Sequence, residues 1–297
     1  MLFILYKVKL LMTKILITGS QGQLAYELVQ LANQHQVIAL THQQLDIINQ
    51  TAVQQAFDIY QPNIVINTAA YTQVDLAEQN SEQAYAVNCT GAKNLAIACA
   101  ETHIPLLHLS TDYVFNGTKN SPYQETDPVS PINTYGLTKW QGEEAIRTHC
   151  SQHIILRVSS VFGRHGQNFV KTILRLAQEK ETLRIVADQI MCPTPAYAIA
   201  ETLLKTINKP QWGTYHYCGS EPATWYDFAN LIVQFAKEHT QLRVKQIEPI
   251  TAADFPTAAK RPAYSVLDCS QFEKNFNIKR PHWQTGLKNV ITALSTP

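Results

Sequence analysis

Ile15-Leu16-Ile17-Thr18 is a short apolar run that leads directly into Gly19-Ser20-Gln21-Gly22-Gln23-Leu24-Ala25. A run of this kind reads as a strand buried on both faces of a parallel sheet. The glycine spacing that follows is G-x-x-G-x-x-A, and a helical pattern continues from it to about His35. Glycines at the first two places permit a tight turn and close backbone approach to a pyrophosphate. The small Ala25 lets the helix pack on the strand, with the helix N-terminus facing the diphosphate. An ordinary turn between strand and helix can carry the same spacing, so the remainder of the chain has to decide.

The remainder repeats the alternation. Val37-Ile38-Ala39-Leu40 is the second strand, followed by Thr41-His42 rather than by an acidic residue for ribose hydroxyls or an arginine for a 2′-phosphate. The cofactor choice is therefore open. Asp46, in Leu45-Asp46-Ile47, either meets the adenine edge or begins a turn. An amphipathic helix from Thr51 to Tyr60 stops at Pro62, and Asn63 to Ala70 is a buried strand that ends in small residues. Such an ending leaves room for a flat ligand at the strand's carboxyl end. Ser81 to Thr102 reads as one long helix, with the polar Asn88 inside it, either satisfied in the core or supporting a site. Ile104 to Leu109 leads to Ser110-Thr111, and His153 to Val158 counts as a sixth strand. This rhythm predicts an α/β fold with a doubly wound parallel sheet.

Tyr135 and Lys139 lie four apart on the helix that follows a loop rich in Pro, Asn and Gly, and so share one helix face. A lysine ammonium beside a phenol favours the ionised form and makes the phenol a readier proton donor. A hydroxyl at the end of the preceding strand could reach the same carbonyl. Tyr-x-x-x-Lys alone also occurs on ordinary surface helices. Its position after Thr111, on a sheet that opens with a phosphate turn, is what gives it weight.

Beyond about Val161 the rhythm loosens. Helices are expected over 170–179, 196–207 and 225–239, strands over 183–187, 214–218 and 244–250, and a turn at Arg261-Pro262-Ala263-Tyr264-Ser265. The expected division is a dinucleotide-binding domain at 13–162 and a smaller lobe at 163–297 with elements returning to the first. The first 12 residues, apolar but interrupted by Lys7 and Lys9, are too short to span a bilayer. They read as an extension or a mis-assigned start, with Met12 as a natural beginning, or as a hydrophobic arm. A net charge of +1 with 16% charged residues gives no nucleic-acid footprint. Six cysteines without CxxC spacing read as reduced thiols of a cytoplasmic protein, with no metal cluster and no membrane segment.

Taken in order, the motifs resemble the extended short-chain dehydrogenase/reductase superfamily, with its Rossmann-like sheet, and within it the dTDP-4-dehydrorhamnose reductase family. The resemblance rests on the glycine turn, on Asn67-Thr68-Ala69-Ala70-Tyr71-Thr72 with Val74-Asp75 and Ala77-Glu78, and on Ser110-Thr111-Asp112-Tyr113-Val114-Phe115-Asn116-Gly117. It continues through Tyr123-Gln124-Glu125, Tyr135-Gly136, Thr138-Lys139, Arg157, Asn168-Phe169, Asp188-Gln189, Pro193-Thr194 and Arg261-Pro262.

The resemblance implies hydride transfer from NADPH or NADH to C4 of dTDP-4-dehydro-β-L-rhamnose. Tyr135 would protonate the alkoxide, Lys139 would hold the nicotinamide ribose, and Thr111 would bind the carbonyl oxygen. Gly19, Gly22, Gln23 and Leu24 would line the pyrophosphate. Asp46 would lie near the adenine, and Ala69, Ala70 and Tyr71 against ribose and diphosphate. Asn168, Phe169 and Arg261 are the candidates for the sugar nucleotide. A homodimer is compatible with such a chain. Ala25, Ser160, Met191 and Tyr264 depart from the family pattern, the last three on the substrate side. An epimerase or dehydratase on the same scaffold is the first alternative, although a dehydratase would carry an acidic pair after Thr111 where this chain has Asp112-Tyr113. A non-catalytic regulatory subunit resembling the methionine adenosyltransferase beta subunit is the second.

Overall fold

The computed structural model describes residues 12–295. The expected extension at 1–12 therefore lies, apart from Met12, outside the described residues. Six strands form the central sheet: β1 (Lys14–Thr18), β2 (Gln36–Leu40), β3 (Ile64–Asn67), β4 (Leu106–Thr111), β5 (His153–Val158) and β6 (Gly213–His216). Their order is β6-β5-β4-β3-β1-β2, and every pairing is parallel. The chain goes outward from β1 to β2 and then restarts on β1's other side with β3. That reversal opens a crevice at the carboxyl ends of β1 and β3, where sheets of this kind take ligands.

Successive strand residues face opposite sides of the sheet. Ile15, Ile17, Ile64 and Ile66 enter one apolar core, and Leu16 and Val65 enter the other. The first core is covered by helix α1 (Gln23–Leu31) and by Ala196–Ile207. The second is covered by Gln50–Tyr60, Ala92–Glu101 and Thr134–His149. Burial on both faces explains why the strands read as unbroken apolar runs.

Two expectations change. His153–Val158 is the fifth strand rather than the sixth, since four strands precede it among the described residues. The long helix from Ser81 contains a π turn at Ala86–Gly91, between Ser81–Tyr85 and Ala92–Glu101. Asn88 lies in that turn.

After Gly163 the chain serves two places. Helices Phe169–Glu179, Trp225–Ala236 and Trp283–Ser295 form a separate apolar core with the parallel strands Thr182–Val186 and Gln246–Ile250. Thr224 caps the second of these helices through a capping box with Asp227. Ala196–Ile207 and β6 return to the main sheet.

Candidate active site

At the carboxyl edge of β1, Gly19 has φ +71°. A Cβ there would stand 2.7 Å from the Ala69 Cα, so glycine lets the turn lie directly against the end of β3. The turn closes with the Gly22 N–H on the Gly19 carbonyl at 2.9 Å. No side chain caps α1 at Gly22, and its first turn carries no acidic residue. The amides around Gln23 and Leu24 thus present an uncapped, positive helix end beside a small-residue surface of Ala69 and Ala70. This cradle fits an anionic diphosphate. Tyr71 continues it, with its N–H on Asn88 Oδ1 at 2.8 Å and its carbonyl accepting from Asn88 Nδ2 at 3.2 Å. Asn88 also donates to Thr138 Oγ1 at 3.1 Å, and so fixes the Ala69–Tyr71 segment to the Tyr135 helix. A π turn at such a point is a recurrent feature of functional sites.

Asp46 sits on the loop after β2. Its Oδ1 accepts from the Ile48 N–H at 3.1 Å and lies 3.7 Å from His42 Nδ1. The side chain therefore closes a turn beside the sheet's carboxyl edge.

The Tyr135 helix, Thr134–His149, starts at Asn133, whose Oδ1 accepts the Gly136 N–H at 2.7 Å. A Cβ at Gly136 would collide with the Tyr113 carbonyl, and one at Gly142 with the Asn88 carbonyl. The two glycines let this helix seat closely against the end of β4 and the π turn. Tyr135, Thr111 and Lys139 are thereby brought together. The Tyr135 phenol lies close enough to the Thr111 hydroxyl for Thr111 to favour its ionised form. Burial pushes the phenol up to about 12, against the lowering by Thr111. Tyr113 packs edge-on to the Tyr135 ring at 5.9 Å.

Lys139 does not direct its amine at the phenol as the simple helix-face argument suggested. Its Nζ donates to the Leu109 carbonyl at 2.6 Å and lies 3.2 Å from His108 Nε2, beneath the end of β4. Burial draws it down to about 8, opposed by Glu143 one turn along. Glu143 is itself fully buried. Burial raises its carboxyl, but Arg157, Ser110 and Arg147 outweigh this and hold it below its ordinary value. Arg157 meets it through two contacts, Nε at 2.9 Å and Nη2 at 2.6 Å.

Several residues at the site were given no role of their own from the sequence. Asp112 accepts from Thr111 at 3.1 Å and from Ser159 at 2.7 Å, and burial brings its carboxyl up to about 6. His108 and Asn67 form a polar row under Lys139. His108 was legible only as an interruption in an apolar strand.

The second-lobe candidates have structural partners. Asn168 caps the helix Phe169–Glu179 through the Lys171 N–H at 3.2 Å, and donates to Gln23 at 3.2 Å and to the Gly163 carbonyl at 2.9 Å. It thus ties α1 to the second lobe beside the glycine turn. Phe169 packs on Trp225 at 4.7 Å and on Phe228 at 5.5 Å. Arg261 holds Asp75 with both terminal nitrogens, at 2.6 and 3.0 Å, and lies near Tyr113, which brings it to the rim of the Tyr135 site. That contact holds the Asp75 carboxyl below its usual range. Ser160 has φ +45°, in the left-handed region. Met191 is buried in the second-lobe core, and Tyr264 packs with Cys192 and Cys218.

A family model described as the RmlD substrate binding domain matches residues 12–296. The chain is 43% identical over 289 residues to the dTDP-4-dehydrorhamnose reductase of Aggregatibacter actinomycetemcomitans, covering 94% of this chain and 98% of that protein. The chain belongs to the dTDP-4-dehydrorhamnose reductase family. A family structure from Bacillus anthracis, in complex with NADP, superposes with a TM-score of 0.91 at 34% identity, covering 95% of this chain and all of that one (100%). One from Clostridium acetobutylicum gives a TM-score of 0.90 at 38% identity, with 95% and 100% covered. The fold extends beyond the family, to a Thermus thermophilus UDP-glucose 4-epimerase at 19% identity and a TM-score of 0.79, with 95% and 98% covered.

Proposed function

We propose that this chain uses a reduced nicotinamide cofactor to convert the C4 ketone of dTDP-4-dehydro-β-L-rhamnose to the alcohol of dTDP-β-L-rhamnose. Membership of the reductase family, along nearly the whole chain, is the observation that carries the substrate. The placing of Thr111 beside the Tyr135 phenol carries the chemistry. The cofactor, when bound, supplies the hydride.

The residues then divide the work. Gly19, Gly22, Gln23 and Leu24 hold the diphosphate on the α1 end, and Ala69, Ala70 and Tyr71 shape the wall beside it. Asp46 lies on the adenine side. Thr111 positions the carbonyl oxygen by a hydrogen bond, and Tyr135 gives its proton to the alkoxide that forms there. A phenol held near 12 stays protonated at neutral pH and so has a proton to give. Lys139 lies one turn away to meet the nicotinamide ribose.

Arg261 suits the substrate diphosphate, because its planar fork can bind two oxygens at once. To do so it exchanges Asp75 for the ligand. Asn168 and Phe169 support the substrate side through the helix they begin. The working division is 13–162 for cofactor and 163–297 for substrate, in a cytoplasmic enzyme that can pair as a homodimer.

The test is to mix purified protein with dTDP-4-dehydrorhamnose and NADPH or NADH and follow absorbance of the reduced cofactor. Stoichiometric oxidation is expected. Conversion of the sugar without net cofactor oxidation would point to an epimerase, and no conversion at all would overturn the reading.

A further inference from the structure

A polar row crosses the sheet beneath Lys139. Thr18, Asn67 and His108 stand at paired positions on β1, β3 and β4, and all three are buried. Their hydrogen bonds can be assigned from one fixed donor. The Ala69 backbone N–H can only donate, and it meets Asn67 Oδ1 at 3.0 Å. The Thr18 hydroxyl meets the same oxygen at 2.7 Å. Asn67 therefore turns its amide nitrogen to His108 Nδ1, at 2.9 Å. An amide NH₂ only donates, so Nδ1 must hold a lone pair. A neutral imidazole with a free Nδ1 carries its proton on Nε2. That Nε2 faces Lys139 Nζ at 3.2 Å.

An ammonium has donors only and would oppose the Nε2–H. An amine has a lone pair that accepts it, while one of its own N–H groups serves the Leu109 carbonyl at 2.6 Å. We propose that His108, fixed by Asn67 in its Nε2–H form, is a positioning residue that disfavours the ammonium form of Lys139.

The surrounding charges agree with this arrangement. Burial takes His108 well below its ordinary value, so the ring stays neutral. Around Lys139 stand Tyr135 and Glu143 from its own helix, His108 from β4, and, behind His108, His153 from β5. Glu143 favours the ammonium, but Arg157 and Arg147 already engage its carboxylate. The row thus places Lys139 where it can gain or lose a proton near neutrality, while Tyr135 keeps its own. The protonation claim stands on the hydrogen bonds alone; only its bearing on turnover rests on the reductase reading.

The test needs neither substrate nor cofactor. In protein carrying ¹⁵N-histidine, long-range proton–nitrogen correlation should show His108 with a protonated Nε2 and a bare Nδ1 from about pH 6 to about pH 9. A protonated Nδ1 would overturn the proposal in the unaltered protein. Asn67→Asp supplies a carboxylate that can accept from Ala69, Thr18 and an Nδ1–H together, and should reverse the ring's proton. The Lys139 titration, read from its side-chain carbon and nitrogen shifts, should then move up by about one pH unit or more. The double variant Asn67→Asp/His108→Phe keeps the added charge and removes the ring. An equal rise there would assign the effect to charge and reject the role of His108. A rise confined to the single variant supports it.

Discussion

The carboxyl edge of the main sheet and the second lobe put their functional candidates to different uses. At the sheet edge, the candidates are held by other residues. Asn88 fixes Tyr71, Asn133 starts the Tyr135 helix, Gly136 and Gly142 let that helix approach, and Thr111 meets Tyr135. In the second lobe, the candidates themselves do the holding. Asn168 caps a helix, Phe169 fills a core and Arg261 pairs with Asp75. A site built on rigid elements is expected to lose chemistry when its residues are changed. A site whose residues are also structural is expected to lose stability as well.

The predictions follow from that contrast. Tyr135→Phe should lower kcat by roughly 10²–10⁴ with cofactor affinity retained, because it removes one proton donor and no packing volume; stopped-flow turnover and cofactor titration separate the two. Phe169→Ala should instead cost about 3 kcal/mol of folding stability in urea titration, with a smaller effect on turnover per folded molecule. An unchanged stability would move Phe169 to the substrate.

Asp112 gives a pH signature. Its carboxyl rises from 3.8 to about 6 in the folded protein, so the folded state holds a proton that the unfolded state has released. Its contribution to stability is present at low pH and is lost as pH rises from about 4 to about 6. Asp112→Asn should remove that fall, and the difference between the two unfolding profiles should reach roughly 1–3 kcal/mol above it. Asn168→Ala is the smallest effect, about 1 kcal/mol for a lost helix cap.

The same contrast explains what could be read from the sequence. The strands were legible because parallel strands buried on both faces are apolar without interruption, as at Ile15-Leu16-Ile17. The glycine turn was legible because φ +71° at Gly19 and the close approach of Ala69 admit no side chain. Tyr135, Lys139 and Thr111 were legible by spacing, since a helix face and a strand end are local geometry. The direction of Lys139 was not. It depends on His108 and Asn67, which arrive from two other strands, and neither stands near Lys139 in sequence. The π turn was hidden for a related reason: Ala86–Gly91 keeps a helical pattern while its hydrogen bonds shift. Asp46 could be assigned to a turn only once the Ile48 N–H was seen upon it. In the second lobe, Arg261 and Asp75 lie far apart in sequence, and nothing local to either forecasts the pair.

The central claim is that this sheet edge delivers a hydride to a sugar ketone and a proton to its oxygen. It is tested most directly with NADPH carrying deuterium at the transferred position, supplied with dTDP-4-dehydrorhamnose to the unaltered protein and to Tyr135→Phe. The account predicts deuterium at C4 of the rhamnose product, formed much more slowly by the variant. Product without deuterium at C4, or equal rates from the two proteins, would contradict it.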